Sequence, residues 1–169
     1  RNARGPASDV PNVYLVNDNK YDVEFVKTPA EADALILWLQ PAGNALFGST
    51  GAPISLSLSR CGVDVPYVNK LTAKKPTILI VNYTNPWVIN EIEPKAAAVL
   101  ATFGLKGEAL LDVISGRFNP TGKLPLTIPK DQEAVEKNAS DVPGYDENFD
   151  YTYTNADGNK YVFGFGLSY

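Results

Sequence analysis

The side chains here that could do chemistry are carboxylates, hydroxyls, amides, lysines and aromatic rings. The chain has no histidine and a single cysteine, Cys61. A Ser–His–Asp triad, a Cys–His dyad and nearly every zinc site need groups it lacks, so no metal or other cofactor is expected. Cys61 cannot close an intrachain disulfide and reads as a small buried hydrophobe rather than a reactive thiol. The carboxylates are unevenly placed, with no Asp or Glu from Ala34 through Val63. Asp64 follows Cys61-Gly62-Val63 at a helix start, where Asp usually caps. Glu91 and Glu93 precede Pro94 and read as a solvated helix terminus favouring negative charge. Asp112 lies on a helix face and reads as structural, and Asp141 and Asp146 as solvated loop carboxylates. None is assigned a catalytic role.

Two groups of amide and aromatic side chains stand out: Gln40, Asn44 and Phe47, then Tyr83, Asn85 and Trp87. Each group follows an apolar run, and in open α/β sheets ligands sit beyond the carboxyl ends of the strands. These six residues are the candidate ligand contacts, although core packing accounts equally well for Trp87. Arg60 could also reach a ligand, but a surface ion pair is the simpler reading.

The elements that must position them follow from apolar patterning. Val13–Val16 reads as a first strand. Thr28-Pro29-Ala30-Glu31 carries the marks of a helical turn: Thr28 as N-cap, Pro29 at the first position and Glu31 three residues on. Ala34–Leu39 and Thr77–Val81 are continuously apolar, as strands covered on both faces of a parallel sheet are. Between them lie a long loop rich in Gly, Ser and Pro, Gln40–Ser59, and a short helix, Val63–Leu71. Loops of that length in a compact domain are usually functional or mobile. Propensity makes Glu93–Gly104 a helix, although Ala98–Phe103 would also serve as a strand. Leu105–Ser115 reads as an amphipathic helix ended by Gly116. Beyond Pro125 a polar tail carries Tyr145, Tyr151, Tyr153, Tyr161, Phe163 and Phe165, which suggests that it wraps a surface. Alternating strands and helices predict an α/β fold, a layered sandwich with a mostly parallel sheet and helices on both faces.

Composition agrees. The 169 residues are 44% hydrophobic and 20% charged, within the range of one folded domain. A net charge of −4 without a Lys/Arg cluster argues against a nucleic-acid partner. No apolar run approaches the roughly 18 residues that a bilayer requires, so no membrane partner is expected. Methionine is absent and the opening Arg1-Asn2-Ala3-Arg4-Gly5-Pro6 resembles neither a signal peptide nor a helix start. An excised piece of a longer polypeptide would account for this, with residues 1–12 a linker or trimmed edge and 13–169 the domain.

Three segments carry a family resemblance. Ala109–Pro125, in which a helix ends and gives way to Asn119-Pro120-Thr121-Gly122-Lys123-Leu124-Pro125, resembles the "NPSGKLP" segment of family 3 glycoside hydrolases. Tyr161-Val162-Phe163-Gly164-Phe165-Gly166-Leu167-Ser168-Tyr169 resembles their closing "FGxGLSY" run. Ala30-Glu31-Ala32-Asp33-Ala34-Leu35-Ile36 is similar to the entry into a sheet strand of the same domain. In local terms, Asn119–Gly122 reads as a turn, with Gly122 supplying φ > 0. Leu124, Leu126 and Ile128 alternate as an edge strand that tolerates Pro125 and Pro129. Gly164 and Gly166 would permit a close backbone path under large rings.

The resemblance implies the six-stranded α/β sandwich that follows a barrel domain bearing a nucleophilic Asp, and that barrel is absent from this chain. It makes the alanine-rich stretch a strand, against propensity. It implies a retaining, exo-acting β-glycosidase, β-glucosidase first and β-xylosidase second. The barrel and a small β-linked oligosaccharide or glycoside would be its partners, and a homo-oligomer is left open. Sugars offer an apolar face and hydroxyls, which suits Gln40, Asn44, Phe47, Tyr83, Asn85 and Trp87. Glycosidases generally use two carboxyl groups, and in many members the second comes from a loop above this sheet. The Gln40–Ser59 loop has none, so the acid lies elsewhere in the chain or in the barrel. The same gap favours the alternative, a non-catalytic carbohydrate-binding or interaction module. The compartment is open, with a periplasmic or secreted setting favoured.

Overall fold

A computed structural model describes residues 20–42, 55–105, 107–138 and 150–169. The expected strand Val13–Val16 therefore lies outside the described residues, as do Asn44, Phe47, Asp141, Tyr145 and Asp146. Strand β1 (Leu35–Leu39), helix α1 (Val65–Thr72), strand β2 (Thr77–Asn82), strand β3 (Ala98–Thr102), helix α2 (Gly107–Ile114) and helix α3 (Gln132–Lys137) follow in order. The three strands form one sheet in the order β1-β2-β3, parallel throughout, with Leu39 opposite Val81 and Asn82 opposite Thr102. This is the expected α/β class.

The central strand shows why. Leu79, Ile80 and Val81 are wholly buried, and successive side chains point to opposite faces, so both faces of β2 are covered. Each such side chain contributes roughly 1.5–3 kcal/mol on burial. β1 is less protected than its apolar sequence suggests, with Ile36 exposed. One face of β2 receives α1, whose Val65 and Val68 join Leu79 and Val81 in a single core cluster. Asp64 starts α1 by accepting from the Tyr67 N–H at 3.0 Å, with Pro66 in the first turn, so the capping reading of Asp64 holds.

Over Glu93–Gly104 propensity and the resemblance disagree, and the strand that the resemblance implies is the one that forms: Glu93–Lys95 make one 3-10 turn around Pro94 and Ala98–Thr102 enter the sheet. Tertiary pairing with β2 overrides alanine's helix preference. Residues 28–31 make the expected turn, closed by the Glu31 N–H to the Thr28 carbonyl at 3.1 Å, and the Thr28 hydroxyl bonds the Glu31 carboxylate at 2.8 Å. The end of the long loop is interior, with Leu56 and Leu58 in the core. Helix α3 was not expected. Asp131 caps it, accepting from the Ala134 N–H at 2.7 Å, and the Gln132 side-chain oxygen accepts from the N–H groups of Leu56 and Ser57.

The two carboxyl-terminal motifs meet. Leu124 N–H donates to the Phe165 carbonyl, Gly164 N–H to the Leu124 carbonyl, Ile128 N–H to Tyr161 and Tyr153 N–H to Ile128. Residues 124–130 are thus laced to the tail and are not an edge strand of the main sheet, and only an isolated antiparallel bridge, Pro129 with Thr152, is formed there. Gly116 has φ +73 and ends α2 as expected, whereas Gly122 is not among the glycines with positive φ. Gly166 is tight for a reason other than rings. A Cβ there would stand 2.4 Å from the Gly122 carbonyl oxygen, while a Cβ on Gly122 would meet open space.

Gly166→Ala is therefore expected to cost roughly 1–3 kcal/mol through overpacking against backbone, and Gly122→Ala to stay within about 0.5 kcal/mol. Urea midpoints at constant slope measure both. Equal midpoints for the two variants would remove this contact as the reason for the glycine.

Candidate functional site

The carboxyl ends of β1, β2 and β3 make a rim that exits through Gln40, through Tyr83–Trp87 and through Phe103. Local bonds set it. The Asn82 backbone carbonyl accepts from the Trp87 indole N–H at 3.0 Å, and its side-chain oxygen accepts from the Gly104 N–H at 3.2 Å. Tyr83 N–H donates to the Thr102 carbonyl at 2.7 Å, and Ala42 N–H to the Cys61 carbonyl at 2.9 Å. Asn82 thus pins the loops after β2 and β3 to one another, and Gly104, at φ +84, makes the turn possible.

The structure sorts the candidate contacts by depth. Gln40 is exposed and Asn85 half-buried on the rim. Neither side-chain amide has a hydrogen bond among the described residues. Tyr83 is 6% exposed, and its burial pushes the phenol well above the ordinary tyrosine range. Trp87 is fully buried, which is the packing alternative for that ring. The Trp87 backbone N–H donates to the Asn85 carbonyl at 2.8 Å, which ties the loop locally. Asn44 and Phe47 lie outside the described residues.

Sequence reasoning missed Phe103, the aromatic with which β3 ends. It is 49% exposed, and its ring lies 6.0 Å from that of Tyr83 at an interplanar angle of 33°. The signal was available, since Ala98–Phe103 would serve as a strand and an aromatic stands at its end.

Several of the carboxylates among the described residues are committed elsewhere. Asp112 receives the Tyr21 hydroxyl at 3.0 Å and pairs with Lys20 at 3.1 Å, and the Lys20 hydrogen bond holds its carboxyl below the ordinary range. Glu108, which the sequence reading did not weigh, pairs with the same lysine at 3.0 Å. Arg60 makes the expected surface pair, 3.8 Å from Glu136. Glu91 is exposed. Glu93 corrects the expectation of a solvated terminus: its two oxygens accept from the hydroxyls of Tyr153 at 2.7 Å and Tyr161 at 3.0 Å. It lies just before Ala97, whose N–H bonds the Thr77 carbonyl at the amino end of β2. Glu93 therefore belongs to the end of the sheet opposite the rim. Among the described residues no group of three or more His, Cys, Asp or Glu could hold a metal ion.

The model of the glycosyl hydrolase family 3 C-terminal domain matches residues 14–169. Among curated relatives, beta-glucosidase C of Emericella nidulans is 42% identical over 84 residues, which are 50% of this chain and 14% of that protein. Probable beta-glucosidase C of Aspergillus flavus is 34% identical over 159 residues, 94% of this chain and 23% of that protein. Periplasmic beta-glucosidase/beta-xylosidase of Dickeya chrysanthemi is 31% identical over 123 residues, 70% and 19% respectively. The chain thus spans less than a quarter of the length of these relatives.

Burial, and after it the bond to Glu93, pushes the Tyr161 phenol up to about 12. Because the folded state keeps a proton that the unfolded chain releases near pH 10, this contribution is complete below about pH 10 and is lost as pH rises through the folded value. Tyr161→Phe is expected to lower stability at pH 8 by roughly 1–2 kcal/mol and to make the decline between pH 8 and pH 11 shallower than in the parent. Parallel declines in urea midpoint would contradict the assignment.

Proposed function

Since the chain belongs to the glycosyl hydrolase family 3 C-terminal domain family, we propose that it is the second domain of a retaining, exo-acting β-glycosidase, completing a sugar site on a barrel that carries the nucleophile. A β-glucosidase comes first and a β-xylosidase second, in line with the names of the relatives. The observation that carries this reading is the family match over nearly the whole chain, together with the small share of each relative that the chain spans. The rim adds chemical support. Gln40 and Asn85 present amides that have no partner among the described residues and can bond hydroxyls in either direction, and Tyr83 and Trp87 fix the loop that carries Asn85.

In a retaining mechanism one carboxylate attacks the anomeric carbon and a carboxylic acid protonates the leaving oxygen. We assign both to the barrel. The loop after β1 has no carboxylate, Asp64 is spent on a helix cap and Glu108 on Lys20. Neutral amides would orient the sugar while the barrel does the proton transfer. Orientation of this kind lowers the barrier by holding reactants near the attacking geometry.

Aryl β-glucoside hydrolysis tests the division of labour. The isolated chain is expected to give no turnover, and the complete polypeptide to give full activity. Hydrolysis by the chain alone at the speed of the whole would overturn the proposal, and sugar binding without turnover in the whole would favour a binding module. In the complete polypeptide Asp64→Asn is expected to keep kcat within about twofold, since Asn caps helices as well as Asp does. A loss of a hundredfold or more, typical of a missing general acid, would return the acid to this chain.

A further inference from the structure

We propose that Gln132, on α3, is a positioning residue that sets the two amides of the sugar site, Gln40 and Asn85; the inference rests on the sugar-site reading above. Its side-chain oxygen accepts from the Leu56 N–H at 2.8 Å and from the Ser57 N–H at 3.1 Å, while its Nε2 donates to the Glu136 carboxylate at 3.1 Å. An amide meets both demands at once, which neither a hydrocarbon nor a carboxylate does. Leu56 and Ser57 are buried, so without that oxygen two backbone N–H groups would lose their partner away from water. The amide itself is held: Asp131 caps α3, and Ala134 and Val135 pack into the interior.

Two runs of backbone hydrogen bonds lead from this point to the candidate contacts. The Leu56 carbonyl accepts from the Val88 N–H at 2.9 Å, and Ser57 bridges Val88 in parallel. Val88 follows Trp87, whose backbone N–H holds the Asn85 carbonyl, so the first run ends at Asn85. The Ser57 carbonyl accepts from the Cys61 N–H at 3.2 Å, and the Cys61 carbonyl from the Ala42 N–H at 2.9 Å. Ala42 stands just beyond Gln40, where the second run ends. Gln132 thus braces the loops after β1 and β2 at a shared point. Removing its oxygen releases Leu56 and Ser57 together, and both amides lose their set spacing. A misplacement of about 1 Å in groups that orient a substrate costs about a hundredfold in rate. Here several bonds share the movement, so the loss is smaller.

Aryl β-glucoside hydrolysis by the complete polypeptide tests this. Gln132→Met, which keeps the length and removes the acceptor, is expected to lower kcat/KM about tenfold. Gln132→Glu, which keeps the acceptor oxygen, is expected to stay within about threefold of the parent. The decisive measurement repeats Gln132→Met in a Gln40→Ala/Asn85→Ala background. With both amides gone the substitution is expected to change kcat/KM less than about twofold, whereas a merely structural role would give the same factor in both backgrounds. Should Gln132→Met not fold, Gln132→Asn, which draws the oxygen back by one methylene, carries the same comparison with an expected loss of about threefold. A parent-like kcat/KM without the acceptor, or equal factors in the two backgrounds, overturns the role of Gln132 and leaves the glycosidase reading standing. A parent that hydrolyses no β-glycoside overturns the glycosidase reading, and this role falls with it.

Discussion

The central strand must be covered on both faces, and most of the architecture follows from that demand. Leu79, Ile80 and Val81 have no contact with water, and a parallel sheet offers no solvated face on which such a strand could rest. α1 covers one side through Val65 and Val68, but a helix of eight residues is too short to finish the work. On that side the rest comes from segments without regular structure: Leu56, Leu58, Trp87, Val88, Ile89, Ile92, Ile128 and Tyr153 join the same cluster as Leu79 and Val81. Irregular chain can be buried only if its backbone groups find partners. The lacing of residues 124–130 to the tail, and Gln132 bonding the N–H groups of Leu56 and Ser57, meet that requirement.

The two ends of the sheet are consequently in different chemical states. At the amino end a carboxylate sits half-buried between two tyrosine hydroxyls, and the rings of Tyr153, Tyr161 and Phe165 pack in succession at 5.4 and 4.9 Å. Hydrogen-bonding capacity there is consumed by the fold, and the tail is fastened by it. At the carboxyl end Asn82 is consumed in the same way, but among the described residues the amides of Gln40 and Asn85 find no partner and Phe103 stays half exposed. A domain that satisfies its polar groups at one end and leaves them open at the other is disposed to bind at the second.

Legibility in the sequence followed the range of the interactions. β2, α1, the Asp64 cap and the Gly116 stop depend on neighbours within a few residues, and all could be read from pattern. β3 could not, because Ala98–Thr102 has a helix former's composition and becomes a strand only through its register with Ile78–Asn82; family likeness corrected what propensity misjudged. Glu93 failed for a related reason: its partners are 60 and 68 residues away, beyond any local rule. Gly122 and Gly166 show the limit of motif reading. Both sit in recognisable runs, yet only Gly166 is sterically required, and the turn conformation assigned to Gly122 does not occur. Of the candidate contacts, Gln40 and Asn85 came from strand ends read as continuous apolar runs. Phe103 stands at the end of a stretch with two readings, and it was missed.

The absence of a carboxylate from the loop after β1 need not count against a catalytic setting. A general acid and a nucleophile have to titrate apart, and their separation is set by burial and by nearby charge. A further ionised group projecting from this rim would move both values. Amides, a buried phenol and phenyl rings do not. Trp87 and Tyr83 hold the β2 loop with bonds internal to this domain, so the position of Asn85 does not depend on a charged partner across an interface. On this reading the domain supplies shape and neutral hydrogen bonds, and the carboxyl chemistry belongs to a single body that can hold both groups at fixed spacing. Two carboxyls on one rigid scaffold keep the separation that decides between retention and inversion, whereas two on separate bodies would depend on how those bodies dock.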